Sequence, residues 1–181
     1  MLSLLIIFIM LWNFYIGYNR GIILQAFYFV GILTSLFVAS QHYLDLAKNI
    51  ALWVPYSSPT EGAKMLFFKD INIFELSKVY YAGIAFFVIF LATYAAVRLI
   101  GILTHFFPID YYDNQKANIA SGIIASLVIV LVFSIGLSIL ATVPMESIQT
   151  QLHNHFLTRL LIEHCPPVTT MIRNLWITKV L

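Results

Sequence analysis

The side chains best suited to chemistry are few in this sequence and scattered. His153 and His155 stand two apart, so on a helix they point to opposite sides. His164 follows further on, roughly 16 Å beyond His153 along a helix axis. Imidazoles spaced in this way do not share one ion, so interfacial or solvated histidines and no bound metal are expected. Cys165 lies beside His164 with no paired base and orienting partner in view, and a nucleophile is not expected there. No phosphate-binding glycine loop, dinucleotide fingerprint or zinc-protease helix appears. The reading is a chain with no catalytic residue and no cofactor, not an enzyme.

Two lone arginines are more informative. In "GYNRGIIL", Arg20 separates two apolar runs, and neither 2–18 nor 21–40 carries any charge. Arg20 is read as a marker at the lip of a hairpin, reaching phosphate headgroups; the alternative is a specific contact. Arg98 is the one charge inside a predicted span, about a turn from its end. Snorkelling explains it, and an anion or lipid-phosphate contact is the functional alternative. No Asp or Glu falls in any predicted span, which counts against a proton-coupled carrier.

The elements that position these residues follow from composition. The chain has 181 residues, 61% hydrophobic and 10% charged, where soluble domains carry about 25% charged residues. Its mean hydropathy is +0.89. The solvent for so apolar a chain must be lipid. A net charge of +2 leaves no electrostatic footprint for nucleic acid. One cysteine excludes an internal disulfide.

A hydrocarbon core of about 30 Å needs about 20 apolar residues in a helix. Four segments qualify: 2–18, 21–40, 79–103 and 117–143. The expected fold is all-α, a bundle of four transmembrane helices with amphipathic helices in the long 2–3 loop and the C-terminal tail. Residues 1–145 make the membrane domain and 146–181 the tail. Met1-Leu2-Ser3 has no base, and the first run ends in Tyr18-Asn19-Arg20, so the first segment is expected to be retained rather than cleaved as a signal peptide.

Between the second and third spans, Tyr43, Leu44, Ala47, Ile50, Ala51 and Val54 recur at helical spacing, predicting an amphipathic helix ended by Pro55. "SSPTEG" reads as a loop, and "MLFFKDINIFELSKV" as a short interfacial helix. In "THFFPIDYYDNQK", Pro108 breaks the chain at a membrane surface. In the tail, Met145, Ile148, Leu152, Phe156 and Leu160 form one apolar stripe, stopped by Pro166-Pro167. Val168, Met171, Ile172, Leu175 and Trp176 form a second. Both are expected to lie along the interface or pack on the bundle. Lysines and arginines of the long loop and tail outnumber those at the Arg20 end, so the positive-inside rule places the termini in the cytoplasm.

Small residues supply the packing signal. Ala117, Ser121 and Ala125 recur every four residues in the fourth segment, with Asn118, Gly122 and Ser126 as the adjacent row. Together they form a smooth face for close helix approach. Ala92 and Ala96 in the third segment, and Gly21 and Gly31 in the second, are further candidates. Asn13, Gln25 and Thr93 are expected as interhelical hydrogen-bond partners.

Against this background, "GYNRGIILQAFYFVGILTSLFVASQHY" resembles the first conserved region of the colicin V production protein (CvpA) family. There a glycine, a spacer and an Arg-Gly doublet precede a small-residue-rich second span. Gly17, Arg20 and Gly21 match. "DNQKANIASGIIASLVIVLVF" resembles the approach to the family's last span, with Asn114 and Gly122 in place. The sequence departs at Asn118, usually glycine, and at Ala125-Ser126, commonly a base and a glycine. The resemblance implies a four-span protein of the bacterial cytoplasmic membrane, linked to colicin V production and export and to envelope homeostasis, without a stated molecular activity.

Two functions are therefore carried forward. The first is a non-enzymatic accessory or scaffold protein in the lipid bilayer, contacting a second copy or an envelope or secretion protein. The second is a small oligomeric channel or transporter, favoured if Asn13, Gln25, Thr93 and Arg98 converge on one wet cavity. Headgroup contact at Arg20 and Arg98 is compatible with either.

Overall fold

Lipid gives backbone groups nothing to bond to, so an apolar run of span length closes its hydrogen bonds within a helix. A computed structural model describes residues 2–56, 65–69, 71–103 and 114–180. Four helices in it are long and apolar enough to cross a membrane: α1 (Leu2–Arg20), α2 (Ile22–Ile50), α3 (Leu76–Leu103) and α4 (Gln115–Ala141). No strand occurs among the described residues. The tail adds α5 (Glu146–Asn154), α6 (Phe156–Glu163) and α7 (Pro166–Ile172), which continues into a π-helical turn, Arg173–Thr178.

The spans pair by twos. α2 packs along α3 and α1 along α4, whereas α1 and α2 share few contacts although one residue joins them. One core forms where α2, α3 and α4 meet, around Ile32, Tyr43, Phe86, Phe90 and Ile135. A second lies where α1 and α4 meet α5 and α6, around Ile6, Leu137, Leu152 and Ile162. α1 is covered least, and Leu4, Phe8, Leu11, Trp12 and Tyr15 face outward.

The expected helical fold holds, and three elements differ from expectation in their bounds. The amphipathic helix after residue 41 is not separate: α2 runs unbroken for 29 residues to Ile50. No proline or glycine stands between Ser40 and Ile50 to stop it. The Ser40 hydroxyl donates to the Phe37 carbonyl of its own helix and leaves the ladder intact. The stretch from Met65 is not an interfacial helix either. Residues 65–69, 71 and 72 are irregular, and a single 3₁₀ turn, Ile73–Glu75, leads into α3, capped by the Asn72 side chain, which accepts from the Phe74 amide. The first tail stripe is broken in two at His155, whose backbone is extended. There the Thr158 hydroxyl bonds the Leu152 carbonyl, holding the end of α5 against the start of α6. Met145, Phe156 and Leu160 consequently face outward, while Leu152, Leu161 and Ile162 are buried. The "SSPTEG" loop, Pro108 and most of 104–116 lie outside the described residues.

The second tail stripe packs on the bundle. Val168, Ile172 and Trp176 are buried, and the Trp176 ring meets Phe86 edge-on at 6.0 Å between centroids. Gly83 makes room for that ring, since a Cβ there would stand 3.1 Å from it. The Tyr43 hydroxyl donates to the Leu175 carbonyl and ties α2 to the tail.

Candidate functional site

The hairpin end of the bundle is built around one close crossing. Met10, Phe14, Gly17 and Gly21 come one per turn along one side of α1 and its end, and α4 lays its small residues against them. The Ser121 hydroxyl lies 2.5 Å from the Gly17 carbonyl and 3.1 Å from that of Gly21, so one proton serves two acceptors. The Gly17 carbonyl is among the last four of α1, which no helical amide reaches. Ala125 leaves no space for a Cβ on Gly17. A Cβ on Gly122 would stand 2.8 Å from the Phe14 ring and 3.0 Å from its carbonyl oxygen. Ser126 reaches the Met10 carbonyl at 3.4 Å. Ser121, Gly122, Ala125 and Ser126 thus all meet α1. Ala117 and Asn118 are half-buried one turn earlier. Gly31 meets Val97 of α3. Ala92 and Ala96, expected at a helix contact, are exposed.

Gly21 alone forms the turn. Its φ of 83° with ψ of 157° belongs to a region that essentially only glycine occupies. That conformation reverses the chain and points Arg20 back over α2. The Arg20 guanidinium lies 4.8 Å from the centre of the Tyr28 ring, and its NH1 donates to Gln25 Oε1 at 3.4 Å. From α3, the Arg98 guanidinium lies 5.2 Å from the same ring centre and 5.9 Å from that of Tyr94. Tyr28 and Gln25 are buried, and Tyr28 packs on Gly101, where a Cβ would stand 2.5 Å from its hydroxyl. Two cations from different helices therefore rest on one fixed aromatic ring, an arrangement favourable for each through the ring's quadrupole.

Gly17, Arg20, Gly21 and Arg98, singled out in the sequence, thus stand at one end of the molecule. The part played by Tyr28 is not readable from spacing, because it depends on the register of α2 against α3. The Tyr94–Arg98 spacing of four is the one local signal. Of the polar set proposed for a cavity, Gln25 and Arg98 come together around Arg20 and Tyr28, but Asn13 donates to the Ile9 carbonyl of its own helix and Thr93 is half-buried on α3.

The histidines stand apart. His153 lies against Phe67, and His164 is 3.9 Å from Glu163 on the surface. No cluster of metal-ligating side chains occurs among the described residues. An open cleft of about 690 Å³ between the start of α1 and the tail is lined by Leu2, Leu4, Leu5, Phe8, Gln151 and His155.

The fold defines an integral membrane protein with four spans and a tail packed on its bundle. The profile of colicin V production proteins matches residues 2–166, and the chain belongs to that family. It is also 25% identical over 179 residues, 97% of each chain, to the uncharacterized transmembrane protein YshB of Bacillus subtilis (strain 168). No solved structure matches it.

Proposed function

We propose that this chain is a non-enzymatic scaffold or accessory protein of the bacterial plasma membrane, with both termini in the cytoplasm. It supports production or export of a colicin-type toxin, and envelope homeostasis, by contacting an envelope or secretion protein. One observation carries the reading: most interior polar side chains fasten one element to another, while Thr142 and Ser35 bond within their own helices. Ser121, Ser134, Thr142, Gln149 and Thr158 are buried, and each donates to a backbone carbonyl. Such groups are committed to assembly. The family's name supplies the toxin connection. The outward stripe of α1, where Phe8, Trp12 and Tyr15 touch in sequence, gives a partner helix or lipid an aromatic face.

The test is a deletion strain making a colicin-V-type toxin, combined with cross-linking of the tagged protein in native membranes. Reduced toxin export and a reproducible envelope or secretion partner are expected. Normal export together with self-association alone would overturn the accessory role, and solute flux through liposomes holding the purified chain would then be measured.

A further inference from the structure

We propose that Arg20, Arg98 and the first amides of α2 form a binding site for a phosphate group, presented in the membrane by the headgroup of an anionic glycerophospholipid. The site is independent of the accessory role.

Two guanidiniums are brought to one ring from different helices, where like charges repel. Among the described residues, no carboxylate pairs with either: the ion pairs present are Lys48–Asp45 and His164–Glu163, both elsewhere. A snorkelling arginine extends its head into water along the shortest path. Arg20 instead turns back onto Tyr28 and Gln25, both at most 5% exposed, so its head is held in place. Like charges held on one fixed support fit an anion that both can reach.

The backbone adds donors at the same end of the bundle, where α2 begins about two turns before Tyr28. Gly21 brings no side-chain cap to α2, and the first bond at this end of the helix runs from the Gln25 amide to the Gly21 carbonyl. The amides of Ile22, Ile23 and Leu24 precede the ladder, at the positive end of a 29-residue helix. Guanidiniums beside a free helix start match a tetrahedral oxyanion. The depth suits a lipid. Arg98 lies about 33 Å of helix beyond Leu76, close to the thickness of a hydrocarbon core. The charges therefore sit at the level of headgroup phosphates when the start of α3 sits at the opposite interface.

The experiment uses the full chain purified in a neutral detergent, titrated with phosphatidylglycerol and read by native mass spectrometry, with phosphatidylcholine and millimolar inorganic phosphate as separate arms. Phosphatidylglycerol should bind, and Arg20→Gln and Arg98→Gln should each weaken it about tenfold or more. Arg159→Gln, on the exposed tail, should leave it unchanged. Arg98 is itself exposed, and Arg20→Lys keeps the charge, so both variants remain informative if Arg20→Gln misfolds. Displacement of the lipid by inorganic phosphate, lost in both Gln variants, would keep the phosphate site and assign it to the soluble ion. Binding indifferent to both arginines overturns the proposal.

Discussion

Gly17 and Gly21 lack side chains for different physical reasons. At Gly17 the constraint is space, because Ala125 and the Ser121 carbonyl oxygen occupy the position of a Cβ. At Gly21 nothing stands within 4 Å of a Cβ, and the constraint is the backbone, at φ 83°. Gly17→Ala should cost about 1–3 kcal/mol by overpacking. Gly21→Ala should cost a similar ~1–3 kcal/mol through strain alone. Thermal melts in detergent check both, and Ala125→Gly should restore part of the first loss and none of the second. Tyr56 gives a prediction in pH. Burial, then the neighbouring Tyr80 and Tyr81, push its phenol up to about 12, and the hydroxyl donates to the Thr142 carbonyl at 2.9 Å. An acid raised in the folded state favours folding fully below its ordinary value near 10, and that contribution disappears as pH climbs toward 12. The difference in 295 nm absorbance between the native chain and Tyr56→Phe should therefore titrate near 12 when folded and near 10 when denatured.

The four spans could be read directly from hydropathy because lipid permits little but helix at that length. Their ends and the tail were less legible. Whether α2 stops at the membrane surface or continues is decided by the absence of a breaker, and the change from an apolar face to a polar one at His42 looks like a boundary without being one. The break at His155 rests on the Thr158 hydroxyl, a contact across a turn that periodicity does not register. Gln149 is the clearest case. Its sequence context is polar and unremarked, yet it is buried, and its amide donates to the Ala141 and Val143 carbonyls while its oxygen accepts from the Leu66 amide. It thereby closes the end of α4 and fastens the segment before α3. Gln149→Ala should leave those groups unpartnered, at a cost of about 1–3 kcal/mol. Limited proteolysis should then cut the tail faster while the spans stay protected.

Over the whole molecule, charge and pairing are distributed unequally. Arg20, Arg98 and Lys116 stand at the end where α1 meets α2, and the bases of the tail stand at the other. With a cytoplasmic tail, a cysteine at Asn114 in a Cys165→Ser background should react with an impermeant maleimide from outside the cell, and one at Lys179 should not. The reverse pattern would invert the topology. The site was half legible at this scale. The Arg-Gly doublet stands out in the sequence, whereas its meeting with Arg98 depends on two helices lying antiparallel in a particular register.

The pairing of α1 with α4 has a consequence for how the chain is made. The contact from Ser121 to Gly17 joins residues 104 apart. At about 5–20 residues per second, the first span waits roughly 5–20 s in the membrane before its partner leaves the ribosome. During that interval its glycine-lined side has no neighbour from the same chain, while α2 and α3 can already pair. Chains truncated after residue 103 and released should thus keep a protected α2–α3 hairpin and an α1 open to membrane proteases, so that the last span made secures the first.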